Sequence, residues 1–167
     1  MRPARHGTFS VMLFLICSVG LFLQGCKTRQ ESFYPTLAEA VKAGEVERGW
    51  MPAYLPESAR AIHLAFDSES LLTWCAFEFS SGDSNRLESG LTLLAAVPPI
   101  AKRVESPGAA WWPEFLTGDL DLDRITAQGE MLYLGSQPQN PERPGILIFV
   151  INWEKGAGFF YRVPNKE

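Results

Sequence analysis

His63 and Cys75 come first, because a thiol beside an imidazole can be activated as a nucleophile. They lie in two apolar runs, AIHLAF at 61–66 and LLTWCAFEF at 71–79. The polar connection Asp67-Ser68-Glu69-Ser70 would fold these runs into a hairpin, with the two side chains able to stand opposite each other. No third residue is identifiable to orient the imidazole, and nothing marks an oxyanion hole. A buried Cys acting as a small hydrophobe is the simpler account. Zinc needs three or four ligands, and this His and Cys fall short of a cluster. A second set is Asp119, Asp121, Asp123 and Glu130. Counted from Asp119, their oxygens fall at positions 1, 3, 5 and 12 of a calcium loop. Arg124 occupies the position that needs Gly, and no helical pattern leads into the loop. DLDLD reads instead as an edge strand, with Leu120 and Leu122 turned inward.

Aromatic residues offer binding rather than reaction. Trp74 and Trp153 fall in apolar runs and belong to a core. Trp50, Trp111 and Trp112, with Tyr54, lie near prolines in loops. Exposed there, they would stack on sugars or insert at an interface; buried, they would close the ends of a small sheet. These four are the candidate binding residues. The sequence holds no G-x-S-x-G, P-loop, dinucleotide fingerprint or H-E-x-x-H. The expectation is a protein that is not an enzyme and needs no metal or cofactor.

The elements that must position these residues can be read from periodicity and breakers. Thr36 and Glu39 have capping-box spacing, so a helix starts at Thr36, with Gly49 as its stop. Pro52 and Pro56 make 48–58 an extended segment that wraps the domain. Residues 61–66 and 71–79 are strands, apolar on both faces and therefore interior to a sheet. Leu87, Leu91 and Leu94 recur at helical spacing, giving a second helix that ends before Pro98-Pro99. Pro113 starts one helical turn. Residues 130–135, 146–153 and 158–163 are strands, the last two joined by a turn at 154–157. The expected fold is α+β: an antiparallel sheet of about five strands with two helices on one face.

The first 25 residues are of another kind. Arg2 and Arg5 precede an apolar run, 11–23, broken only by Gly and Ser18. A membrane span needs about 20 apolar residues, so the run is short for one and has the parts of a secretory signal peptide. Its exit, Leu23-Gln24-Gly25-Cys26, resembles the lipobox of bacterial lipoproteins. That resemblance implies that Cys26 is acylated, becomes the first residue of the mature chain, and holds it in a membrane. Lys27 stands where an Asp would favour the inner membrane, which implies the outer membrane in a Gram-negative cell. Residues 26–35 are then a lipidated tether, and 36–167 a single globular domain.

Removing residues 1–25 takes Arg2 and Arg5 away and leaves 13 basic against 19 acidic side chains, a balance of −6. That argues against nucleic acid, which wants a basic patch, and leaves membrane attachment to the acyl chains. Only Cys75 remains beside Cys26, so no internal disulfide can staple the fold.

Arg48-Gly49-Trp50, Pro52, Leu55-Pro56, Ser58-Ala59 and Ile62 carry a second likeness. The segment 47–67 resembles one found in a group of small bacterial proteins, many of them lipoproteins, with no assigned activity. It brings no catalytic residues. Where members carry a His-Asp pair after the Ile, this chain has Ala65-Phe66-Asp67. The functional expectation is a lipid-anchored binding module of the cell envelope with a protein partner. The alternative is an inhibitor or immunity lipoprotein that blocks a toxin or wall-degrading enzyme.

Overall fold

A computed structural model of the chain describes residues 28–136 and 145–164. Its strands are β1 (Arg29–Thr36), β2 (Arg60–Asp67), β3 (Thr73–Glu78), β4 (Leu91–Leu93), β5 (Arg103–Val104), β6 (Gly118–Asp119), β7 (Met131–Gly135), β8 (Ile146–Asn152) and β9 (Ala157–Val163). Three short helices, α1 (Leu37–Lys42), α2 (Asn85–Ser89) and α3 (Leu122–Thr126), punctuate them. The main sheet has seven strands in the order β1-β2-β3-β9-β8-β7-β4, and β5 with β6 forms a small second sheet. Every neighbouring pair is antiparallel.

The expected α+β sheet of five strands with two helices on one face is therefore corrected to a mostly β domain. Two local differences account for the correction. Residues 29–35, expected as part of the tether 26–35, pair with β2 as an edge strand. The helix expected through Leu94 ends at Ser89, and Leu91–Leu93 becomes β4 against β7. A Cβ at Gly90 would lie 2.4 Å from the Tyr54 ring, so this glycine lets the ring close over the junction.

Both faces of the sheet are covered, which is why β8 reads as an unbroken apolar run. Leu147, Phe149 and Ile151 point to the first face, and Ile148 and Val150 to the second. The first face is closed by α1 and the chain from 43 to 59. Thr36 caps α1, its side chain accepting from the Glu39 N–H at 3.4 Å. The helix stops a turn and more before Gly49, at Lys42, and Gly44 (φ 81) turns the chain out of it. Trp50 then stacks on Phe66, ring centroids 4.1 Å apart. Arg162, buried in the sheet, donates from Nη2 to the Gly49 carbonyl at 2.6 Å and ties this cover down.

The second face is covered by irregular chain between Val97 and Ile125. Ala101, Val104, Trp112, Leu116 and Ile125 pack on Trp74, Ile148, Val150 and Tyr161. Two side chains of the sheet hold this cover by their polar ends. Trp74 Nε1 donates to the Glu105 carbonyl at 2.8 Å, and Tyr161 Oη donates to the Ala101 carbonyl at 3.1 Å.

Candidate functional site

At the β1 edge the second cover stops short. Phe33 and His63 are cross-strand partners on β1 and β2, on the same face as Ala65 and Trp74. The His63 ring has two aromatic neighbours: Phe33 lies 4.8 Å away, and Trp111 is stacked on it at 5.5 Å with an interplanar angle of 20°. Trp111 reaches this position because its neighbour Trp112 is buried and anchors the loop, the two indoles meeting edge to face at 6.0 Å. Trp111 Nε1 also donates to the Glu31 carboxylate, two residues along β1 from Phe33. The result is an aromatic row closed at one end by a carboxylate. Phe33 is 55% exposed.

The alternation of β1 explains why these groups share a face. Glu31 and Phe33 point to the row, while Ser32 and Tyr34 point the other way. Tyr34 Oη donates to the Glu45 carboxylate, which is buried and paired with Arg48 at 2.7 Å. Burial, with the carboxylate beside it, raises the Tyr34 hydroxyl pKa. One side of the strand thus fastens it to the domain, and the other is left to the surface.

The four nominated binding residues separate. Trp111 stands in the row. Trp50, one of the surface candidates, is 2% exposed and stacked in the core, the sheet-closing alternative. Trp112 is likewise buried, at 6% exposed. Tyr54 is a wedge rather than a binding surface: its ring lies against Gly90 and its hydroxyl against Gly135. Its Oη donates to the Ser136 carbonyl at 3.0 Å, and burial pushes the hydroxyl well above its usual pKa. Phe33 and His63 join Trp111 without having been nominated for binding. The alternating Glu31-Ser32-Phe33-Tyr34 is the signal that could have found them.

The reactive sets dissolve. Leu64, not His63, stands opposite Cys75, and Cys75 points to the first face while His63 points to the second. The buried Cys75 thiol is pushed well above its usual pKa by desolvation, and it donates weakly to the Ala76 carbonyl at 3.7 Å. That is a core cysteine, not a nucleophile. The expected edge strand at DLDLD is replaced after Asp119 by α3. Asp121 caps that helix, accepting from the Asp123 and Arg124 N–H groups at 2.9 and 3.4 Å. Arg124 donates to the Asp119 carbonyl at 2.8 Å, so a cation occupies the would-be loop. Among the described residues no group of three or more His, Cys, Asp or Glu side chains could hold a metal ion. Cys26 and the whole signal segment lie outside the described residues, as does part of the loop at 135–145.

Residues 28–78 match the family model described as the YbbD head domain. The matched segment runs from the start of β1 to the end of β3, so it carries Phe33 and His63 but not Trp111. No curated protein and no solved structure matches the chain. No helix among the described residues is long and apolar enough to cross a membrane.

Proposed function

We propose that the chain is a lipid-anchored protein of the bacterial cell envelope, not an enzyme, that holds a protein partner at the β1 edge. The anchor rests on the lipobox-like Leu23-Gln24-Gly25-Cys26, and Lys27 favours the outer membrane. The observation that carries the binding role is the row Phe33–His63–Trp111 on an edge strand. An edge strand offers unpaired backbone groups for strand addition, and side-chain platforms beside it supply selectivity. An exposed Phe at the end of a row of packed rings is the kind of anchor on which interfaces concentrate their energy.

The test is capture from crosslinked envelope by the full chain, compared with its Phe33→Ser and Trp111→Ala variants. One stoichiometric partner, lost with both variants, is expected. A partner retained by both would place the interface elsewhere. If the partner is a toxin or wall-degrading enzyme whose activity falls on binding, the role is inhibition. The balance of −6 suits that case, since an acidic face steers onto a basic enzyme. The anchor has a separate check. The Cys26→Ser substitution should abolish acylation and leave the precursor uncleaved; a substituted chain still matured and held in the membrane would overturn it.

A further inference from the structure

A cavity of about 560 Å³ opens on the second face, over β3 and β9 and not at the β1 edge that carries the aromatic row. Its volume falls in the range of about 300–1,000 Å³ typical of small-molecule sites. Trp74, Tyr161, Leu72 and Val104 form its floor and walls. Both polar ends of the aromatic floor are already engaged, Trp74 with Glu105 and Tyr161 with Ala101, and Arg29 lies over the Trp74 ring, so the apolar surface open to the cavity is that of Leu72, Pro99 and Ile100. The mouth is the reverse. Lys102, Arg103, Glu105 and Asp119 all line it and are exposed. None of the four side chains forms an ion pair among the described residues, although Arg103 and Asp119 are cross-strand partners. Ile100 stands beside them with 46% of its surface in solvent.

An apolar floor under a mouth carrying two cations and two carboxylates has the pattern of an amphiphile with one acyl chain and a zwitterionic head. We propose that this cavity binds one acyl chain of a lipid whose head group carries both a phosphate and an amine. Lys102 and Arg103 take the phosphate, and Glu105 and Asp119 take the ammonium group. The chain's own geometry suits that ligand. Arg29, the first residue of β1, lies with its guanidinium 4.7 Å over the Trp74 ring of the cavity floor. Cys26 is three residues earlier, a reach of at most about 11 Å. An anchor there holds the mouth against the bilayer that supplies the lipid. This last point rests on the envelope reading; the binding chemistry does not.

The full chain in phosphatidylcholine nanodiscs is photolabelled with lysophosphatidylethanolamine carrying a diazirine on its acyl chain. Labelling should saturate and map to peptides spanning 72–74 and 99–105. Unlabelled lysophosphatidylethanolamine should compete at least tenfold better than lysophosphatidylglycerol or palmitate. The Lys102→Glu/Arg103→Glu chain should label at least tenfold less. Asp119→Asn should erase the preference for the amine-bearing head. Leu72→Trp, which fills the cavity without touching the charges, should abolish labelling while its melting curve reports an intact fold. Labelling elsewhere, indifference to both the charge and the filling variants, or palmitate competing as well as the aminolipid would overturn the proposal. None of these outcomes depends on Cys26, so a failed anchor and a failed cavity are told apart.

Discussion

The two faces of the sheet are built from similar residues and finished differently. On the first, α1 and the chain from 43 to 59 lie continuously over Phe66, Phe149 and Phe160, and Trp50, Met51 and Leu55 are buried to 2% exposure or less. On the second, the cover is turns, two-residue strands and the short α3, pinned by single hydrogen bonds from Trp74 and Tyr161. It leaves an aromatic row at the β1 edge and a cavity over β3 and β9. On the proposed reading the sealed face supplies stability, and the other supplies surfaces for recognition. Such a division is physically reasonable, because binding groups must stay solvated until a ligand arrives, while core groups must not.

The contrast is sharpest at two phenylalanines. Phe149→Ala, on the sealed face, should cost about 3–5 kcal/mol in urea unfolding, the lost transfer energy plus a cavity that neighbours cannot fill. A loss under about 1 kcal/mol would mean that the first face is less tightly packed than its burial implies. Gly90→Ala comes next. Its added methyl would press on the Tyr54 ring, and overpacking of this kind costs about 1–3 kcal/mol. Stability unchanged in that variant would show that Tyr54 swings out and is not a wedge.

Glu130 gives a smaller, pH-dependent effect on the second face. Its carboxyl is buried beside Asn152, and desolvation raises its pKa above the ordinary value. Between the ordinary and the raised value the folded protein binds more protons than the unfolded chain, so stability falls as pH rises through that window. Glu130→Gln should remove this dependence and raise the melting temperature at neutral pH. A melting temperature that drops instead would give the carboxylate a structural partner. The smallest effect belongs to Phe33→Ser, which should change stability by no more than about 0.5 kcal/mol while removing partner binding. A cost above about 2 kcal/mol would turn the aromatic row into core.

Much of the sheet is legible in the sequence. β2, β3, β7, β8 and β9 are apolar runs bounded by breakers, and Thr36 announces α1 through its cap. What escapes are elements whose character is set by their neighbours. β1 is polar because its row side meets solvent, so it resembles a linker, although Tyr34 on the other side is fastened to Glu45. Leu87, Leu91 and Leu94 fit a helix by spacing, but pairing of Leu91 with Gly135 diverts the chain after Gly90. Trp50 and Trp112 sit in loops that the fold buries, and loop position alone cannot tell a surface indole from a core one. Trp111 is legible as a surface candidate, but its partners on β1 and β2 emerge only from cross-strand register.

The strand order also sets when the molecule can become complete. β3 lies inside the sheet between β2 and β9, and β9 comes last in chain order among the described strands. Until Ala157–Val163 arrives, the run Trp74-Cys75-Ala76-Phe77 has an open edge, apolar on both sides. Closing such a distant pair is slow compared with forming a local hairpin. The nascent chain therefore passes through a stage in which its most adhesive strand waits unpaired, and aggregation competes with folding there. A fragment cut at Glu78 would be held permanently at that stage and should self-associate through β3.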